Sequence, residues 1–483
     1  MHRRISLPFH YDRSGEGVSG PDGIDSSIGL DRFATPLPGI FGVLKMRAED
    51  FRVEEVGKIP ALDPKGRFTL IKVTLRDWET NRFVRRFTSA LKINRNRIWF
   101  SGTKDKKAVT TQLMVVDAPV SKIEEVEISD VDIDIIGRTH QKVAMGAHSA
   151  NRFTIVVRGC VDENGVPLDA RDAMAKSLAI REMMEESLGT GIFPNWVGPQ
   201  RFGSLRPVTP IVGRFVLDDD FQSAVSTYLG MEGLFEDSET QEFRKTWRET
   251  ADVENCLEII PKHLGYERSM LESYLESPEN HVKAFSTMPR NLQLMMIHSL
   301  QSMAFNHVLA TRLELGLPLA EPMVGDVVAP MSSEGKIDAG KSALVDETNL
   351  ERCIRNCRFR RLSVTGPLPG VSGNIASGKP GDIESEVFRE LELEKIDWNV
   401  HSIPRLTTNG TRRPYASIFE EFSIVDAPLL DEESLDSRWS DGPREGEIWH
   451  PEGACLKFRF TLPPGTYATV LMREFMKSPS SQY

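Results

Sequence analysis

Cysteine is scarce: Cys160, Cys256, Cys353, Cys357 and Cys455 are the five in 483 residues, an odd and scattered set. Such usage argues against a disulfide framework and for a reducing compartment. Only Cys353 and Cys357 lie close together, and no second Cys or His cluster stands near them to complete a tetrahedral metal site. The ten histidines form no H-E-x-x-H or similar ligand pattern, so metal-free chemistry is expected. No run of about 18 uncharged apolar residues occurs, which argues against a membrane-spanning helix. The opening MHRRISLPFHYDRSGEG is basic but lacks the apolar stretch of a secretory signal, and a soluble, cytoplasmic protein is expected. There is no internal repeat. With 40% apolar residues a sizeable core is available, and the length predicts two domains or one domain carrying a large insertion.

Positive charge is also short overall, with a net charge of −11, which by itself counts against a polyanionic partner. The signs are segregated, however. From Asn81 to Lys107 nine Lys or Arg accompany one acid, Asp105, and RCIRNCRFRR (Arg352 to Arg361) holds five arginines and no acid. The acids gather elsewhere, as in VLDDDF and EEVEISDVDID. This pattern predicts basic surfaces for a polyanion on an acidic body.

The residues up to Asp31 are rich in Gly and Ser and read as loops or an arm. Short alternating runs then predict strands at Phe68 to Leu75, Leu113 to Asp117, Val131 to Ile136 and Arg152 to Arg158. Between them Phe83, Phe87, Ala90 and Leu91 fall at helical spacing among basic residues. Beyond residue 168 the pattern is helical, with one helix ending at Gly189 and a long one stopped by Gly316 and Pro318. Met295, Met296 and Met303 on the long helix read as core filler. A Gly/Pro-rich stretch breaks the chain between Thr365 and Asp382, and LKFRF (Leu456 to Phe460) alternates again as a strand. A C-terminal strand returning to the first domain makes the helical middle an insertion.

One short stretch concentrates the chemistry. In FSGTKDKKAVTTQ (Phe100 to Gln112) the single carboxylate of Asp105 stands among Lys104, Lys106 and Lys107. Burial drives a carboxylate toward its neutral form, while adjacent cations hold it ionised. An ionised, partly desolvated carboxylate serves as nucleophile, general base, electrostatic stabiliser or metal ligand. No second acid supports the metal role, and no second glycine follows Gly102 to make a phosphate-binding P-loop. Spacing alone leaves a solvated lysine-rich turn open beside a catalytic loop.

GTKDKKAVTTQ (Gly102 to Gln112) resembles the signature of the TruD family of tRNA pseudouridine synthases, in which G-x-K-D followed by A-V-T-x-Q carries the catalytic aspartate. Five further segments agree in order: GVLKMRAEDFRVEE, ANRFTIVVR, PNWVGPQRFG, QSMAFN and LPPGTYATVLMRE, so that the six span residues 42 to 474. The resemblance implies an α+β fold, a pseudouridine-synthase core with a mostly antiparallel sheet formed by residues 1–168 and 416–483, interrupted by a mainly helical insertion at 169–415. It implies a reaction without metal or cofactor, in which a uridine of tRNA, principally uridine 13, is detached from its ribose, turned and rejoined through carbon. Asp105 is then the nucleophile or charged stabiliser, and Lys45 the cation that keeps it ionised. Phe153 matches the aromatic that stacks on the target base, and Asn151, on the same strand face, hydrogen-bonds within the site. Phe51, Lys104, Gln200 and Arg201 are expected at the substrate, although Gln200 and Arg201 equally fit a role bracing the domain junction, and Tyr467 is at most a lining residue. Arg82, Arg85, Arg86, Lys92, Arg95 and Arg97 are expected to grip phosphates around an extruded base. The partner is tRNA, and the protein is expected to act as a monomer.

This chain departs from the family pattern at Ala150, where glycine is usual, at Met303, where an aromatic is usual, and at Trp196, where tyrosine is usual. Two other readings remain in view. One is a non-catalytic tRNA-binding protein or RNA chaperone on the same fold, which the intact Asp105 opposes. The other is a carboxylate-dependent hydrolase, which needs a partner acid or metal that the sequence does not display.

Overall fold

Alternation along the chain builds the first strands. The computed structural model describes residues 21–104, 106–332, 334–373, 375–429, 439, 441–444 and 446–482, so Asp105 lies outside the described residues. In β1 (Phe51–Val56) Phe51 and Val53 are buried while Arg52 and Glu54 are exposed. There follow β2 (Phe68–Arg76), β3 (Ile98–Phe100), β4 (Val109–Val116), β5 (Val131–Thr139) and β6 (Ala150–Cys160). The middle of the chain adds β7 (Ile192–Pro194), β8 (Val327–Pro330), β9 (Ala343–Leu344), β10 (Leu362–Leu368), β11 (Thr411–Pro414) and β12 (Ala416–Ile418), and the end supplies β13 (Glu420–Ala427) and β14 (Ala454–Leu462).

The main sheet runs β13-β14-β6-β1-β4-β2-β5, with β3 also paired to β4. Every pairing in it is antiparallel except β1 with β4. Its strands come from both ends of the chain, and β14 inserts between β6 and β13. A smaller sheet, β11-β10-β8-β9, belongs to the middle segment, and β12 pairs with β7. The fold is α+β with mostly antiparallel sheets.

Helix Thr80–Leu91 covers one side of the sheet, burying Phe83, Val84, Phe87 and Leu91 against Ile71, Val73, Leu75 and Met114. Ala90, read from the sequence as part of that apolar side, is exposed, and Val84 occupies the core instead. The Glu79 carboxylate caps the helix by accepting from the Asn81 and Arg82 amides, each at 2.9 Å. These bonds, helped by Arg85, outweigh burial and hold the Glu79 carboxyl below its ordinary value. On the other side lie helix Ala170–Leu188, ended by Gly189 in a positive-φ conformation, and the C-terminal helix Ala468–Met476.

The long helix Arg290–Glu314 is buried along most of its length, with Met296 and Met303 fully inside and Met295 half-buried. Helix Val208–Leu217 crosses it so closely that a Cβ at Gly213 would lie 2.1 Å from the Met296 carbonyl oxygen. No helix among the described residues is long and apolar enough to cross a membrane.

Two segments differ from the reading of the sequence. Residues Pro21–Ser27, taken there as loop, form a short helix; Ile24, Ile28 and Leu30 are buried, and Asp25 accepts from the Ser480 amide at 3.0 Å. Long-range burial overrides the local Gly/Ser signal. The Gly/Pro stretch from Thr365 is also more ordered than its composition implies, since β10 continues to Leu368 and a helix begins at Gly378. Pro367 is tolerated because β8 pairing stops at Thr365, which leaves only β11 beside it. Pro380 sits in the first helical turn, where its missing N–H has no intrahelical acceptor to lose.

One buried ion pair joins β6 to the turn before β1. Arg158 donates to both Asp50 oxygens at 2.8 and 2.6 Å, with side chains 4% and 1% exposed. Asp50→Asn should lower stability by about 3–5 kcal/mol, because it leaves the guanidinium buried without its counter-charge. Urea unfolding measures this, and a loss below about 1 kcal/mol would mean that water reaches Arg158.

Candidate active site

The site starts from the period-two geometry of β6, which sets Asn151 and Phe153 on one face. Across β1 they stand opposite Glu55 and Val53, and across β14 opposite Leu462 and Phe460. Phe153 stacks on Phe460 with ring centroids 5.6 Å apart and meets the edge of Phe51 at 6.2 Å. The Lys45 ammonium lies 4.5 Å from the centroid of Phe51. Lys45 itself adopts a left-handed backbone (φ 54°), a conformation that costs a residue with a side chain and is kept only where the surroundings fix it. Lys45, Phe51 and Phe153 thus form one cation–aromatic stack. Phe51 and Phe153 are buried, at 2% and 7% exposure, so both rings are held by the core rather than freely presented.

Asn151 is half-buried, and its Oδ1 is buried with no hydrogen-bond partner among the described residues. An unmet buried acceptor costs about 1–3 kcal/mol, so this oxygen is suited to a donor supplied from outside the chain.

Asp105, the proposed reactive carboxylate, lies outside the described residues, but its neighbours do not. Lys104 turns inward: its Nζ is 3.2 Å from the Glu55 carboxylate, with both side chains under 10% exposed at 7% and 5%. Its backbone N–H donates to Thr80 Oγ1 at 3.0 Å, and Ser101 Oγ hydrogen-bonds to the same Glu55. Lys106 and Lys107 are exposed. The three lysines therefore divide into one internal anchor and two surface charges, and Lys104, expected at the substrate, has its ammonium on Glu55.

His148 completes this corner. Burial and the nearby Lys104 lower its pKa, Lys336 adds to the effect, and Glu55 opposes it. Its Nδ1 has no hydrogen-bond partner among the described residues.

A cleft of about 800 Å³ is lined by Ala150 and Arg152 of β6, Leu462 of β14, Thr466 after it, and Lys336 and Phe359 from the middle segment; Lys45, Phe51, Asn151 and Phe153 are not part of its lining. At the edge of this region Lys336 Nζ donates to the Gly146 carbonyl at 2.7 Å, tying the turn between Met331 and Ile337 to the loop before β6. A second cavity of about 210 Å³ holds Arg201, His298, Gln301 and Tyr467, and Arg413 lines both. Arg413 is fixed by Asn195, donating to its Oδ1 at 2.6 Å and its backbone oxygen at 3.1 Å. Burial is the main cause that pushes its pKa down to about 10; Arg201 adds to that effect and Tyr467 opposes it, which leaves the guanidinium charged at neutral pH.

Gln200 and Arg201 sit on the turn Pro199–Arg201. Gln200 reaches Thr469 Oγ1 at 3.4 Å, which joins that turn to the C-terminal helix. Nearby, Trp196 donates to Glu474 at 3.2 Å, and Asn306 exchanges hydrogen bonds with Val197 at 2.9 and 3.0 Å. Three of the six signature segments therefore meet in one junction. Among the described residues no cluster of three or more His, Cys, Asp or Glu is arranged to hold a metal ion.

The basic helix stands beside the loop that precedes residue 105, through the Thr80–Lys104 bond. Arg82, Arg85, Arg86, Lys92 and Arg95 are exposed, and none makes an ion pair among the described residues, whereas Arg97 meets Asp117 at 3.3 Å. Sequence reasoning missed Glu55, His148 and Arg413. Glu55 had a signal: alternation puts it on the inward face with Phe51 and Val53, where a carboxylate needs a buried partner.

Comparison with known proteins gives a consistent answer. The family model described as tRNA pseudouridine synthase D (TruD) matches residues 27–475. The chain is 33% identical over 455 residues to the probable tRNA pseudouridine synthase D of Methanococcoides burtonii, covering 94% of this chain and 97% of that one. It is also 33% identical to the protein of the same name from Halobacterium salinarum over 466 residues, with 94% and 97% covered. A crystal structure of the Methanosarcina mazei protein of that name superposes with a TM-score of 0.77 at 30% identity, covering 95% of this chain and 99% of the other.

Two outcomes follow from the Glu55 corner. Glu55→Gln should lower stability by about 3 kcal/mol, and adding Lys104→Met should restore part of the loss in a double-mutant cycle; strict additivity would show that the pair does not interact. Because folding favours neutral His148, the unfolded chain binds more protons between the two pKa values, so stability falls as pH drops through about 6.5. Unfolding midpoints between about pH 8 and pH 5 should fall more steeply in the wild type than in His148→Gln.

Proposed function

This chain belongs to the tRNA pseudouridine synthase D family, and on that footing we propose that it converts uridine 13 of tRNA to pseudouridine with Asp105 as the reactive carboxylate and no metal or cofactor. The reaction is an isomerisation: the C1′–N1 bond breaks, a C1′–C5 bond forms, C5 loses a proton and N1 gains one. No atom is added and no electron is lost. Asp105 attacks either the base or the anomeric carbon, while Lys45 keeps it ionised. Phe153, backed by Phe460, supports the extruded base.

The observation that carries this reading is the unmet Asn151 Oδ1 beside the Lys45–Phe51–Phe153 stack. A uracil N–H or a ribose hydroxyl would satisfy it. The exposed face of helix Thr80–Leu91 adds a phosphate-binding surface next to the loop that contains Asp105. Residues 1–168 and 416–483 form the catalytic core in this reading, residues 169–415 form the insertion, and the protein works as a cytoplasmic monomer.

Purified protein incubated with an unmodified tRNA transcript, without metal or cofactor, should yield pseudouridine at one uridine, and Asp105→Ala should yield none. Tight binding without product would instead favour the non-catalytic RNA-binding reading. Replacing Arg82, Arg85 and Arg86 with Gln should reduce the slope of log affinity against log salt by roughly 2–3, at about 0.9 per phosphate contact. An unchanged slope would remove this helix from the RNA interface.

A further inference from the structure

A second aromatic feature, separate from the Phe51–Phe153 pair, lines the cleft. Phe359 follows helix Leu350–Arg358, is 65% exposed and lines the 800 Å³ cleft that also contains Ala150 and Arg152. Local stability does not account for it. An exposed phenyl ring gains nothing from burial, and the next residue, Arg360, adopts a left-handed backbone (φ 54°) at a helix end where glycine is preferred. The turn is closed by Arg360 N–H to the Cys357 carbonyl at 2.8 Å and Arg361 N–H to the Asn356 carbonyl at 2.9 Å. Two locally unfavourable choices in adjacent residues mark a place held for contact rather than for folding.

The surroundings identify the chemistry of that contact. Arg352, Arg355, Arg358, Arg360 and Arg361 are all exposed, and the Arg361 guanidinium lies 5.5 Å from the Phe359 ring centroid. Arg358 and Arg360 are oriented by Glu321 and Glu420 at 3.0 and 3.1 Å. An exposed ring among guanidinium groups combines a stacking surface with phosphate contacts, the combination that receives an unpaired base of a nucleic-acid strand.

We propose that Phe359 is a stacking platform for an unpaired base of the bound RNA, distinct from the base that reacts at Asp105, with the surrounding arginines holding the flanking phosphates. The proposal rests on the reading of the protein as a tRNA-modifying enzyme, and it extends the RNA-binding surface to the cleft. Phe359 acts in binding and touches no reacting atom, so its loss affects affinity while the rate at saturating RNA is preserved.

The test uses the full chain and an unmodified tRNA transcript. Phe359→Ala should weaken binding roughly ten-fold or more, within the range expected for one lost stack, and Phe359→Leu should do the same because it keeps apolar bulk without an aromatic face. Phe359→Trp should bind like the wild type, and its added fluorescence should be quenched by the transcript beyond the quenching seen in the wild type. At saturating transcript all three should form product at the wild-type rate. Unchanged affinity in Phe359→Ala, or no added quenching in Phe359→Trp, overturns the platform. So does a change in sedimentation with unchanged RNA affinity, which would show that a second copy covers the ring. Failure of the wild type to make pseudouridine overturns the catalytic reading alone, since affinity and quenching are measured without product.

Discussion

The Arg158–Asp50 ion pair is the contact through which the site is held. Asp50 also accepts from the Arg47 amide at 3.2 Å, so the short turn between Lys45 and Phe51 is fixed to β6. Arg158 extends the connection to Cys455 of β14 at 3.6 Å and to the Pro428 carbonyl beyond β13 at 3.4 Å. Burial alone would lower the Arg158 pKa, but the hydrogen bonds and charge of Asp50 raise it. Buried charges are tolerated only when geometry offsets their lost hydration, and two-point pairing achieves that here. The middle segment applies the same solution with Arg312 on Asp326, at 2.7 and 2.8 Å, and with Arg412 on Glu384.

The lysines around Asp105 have different physical roles. Lys104 is an internal counter-ion of Glu55, which fixes the backbone immediately before the carboxylate, while Lys106 and Lys107 contribute positive potential at the surface. A net charge of −11 therefore coexists with basic faces because the acids are concentrated on other elements. That separation favours one orientation of an approaching polyanion over others.

Much of this was legible in the sequence, for identifiable reasons. Strand alternation at Phe68–Arg76 and the helical spacing of Phe83 and Phe87 are local, so period alone located them. The return of β14 to the first sheet was legible because Leu456, Phe458 and Phe460 alternate with charged residues. Lys45, Phe51, Asn151 and Phe153 were marked by their motifs, and three of them meet in one stack. Glu55–Lys104 was not legible because ion pairing depends on the inward face of β1 meeting the loop before β4 across 48 intervening positions. The helix at Pro21–Ser27 was missed because it owes its order to contacts with the long helix and the C-terminus. Gly/Pro content concealed β10, since composition does not reveal which edge of a strand is free.

The position of β14 has a consequence for synthesis. About 290 residues separate Cys160 from Ala454, and translation at about 5–20 residues per second takes roughly 15–60 s to cross that interval. Throughout it β6 lacks its neighbour and remains an edge strand, the kind of surface that pairs with the wrong chain. The wall of the cleft that follows β14 is thus added last. A nascent chain, or one truncated before β14, lacks the wall of the cleft formed by Thr461 to Thr466.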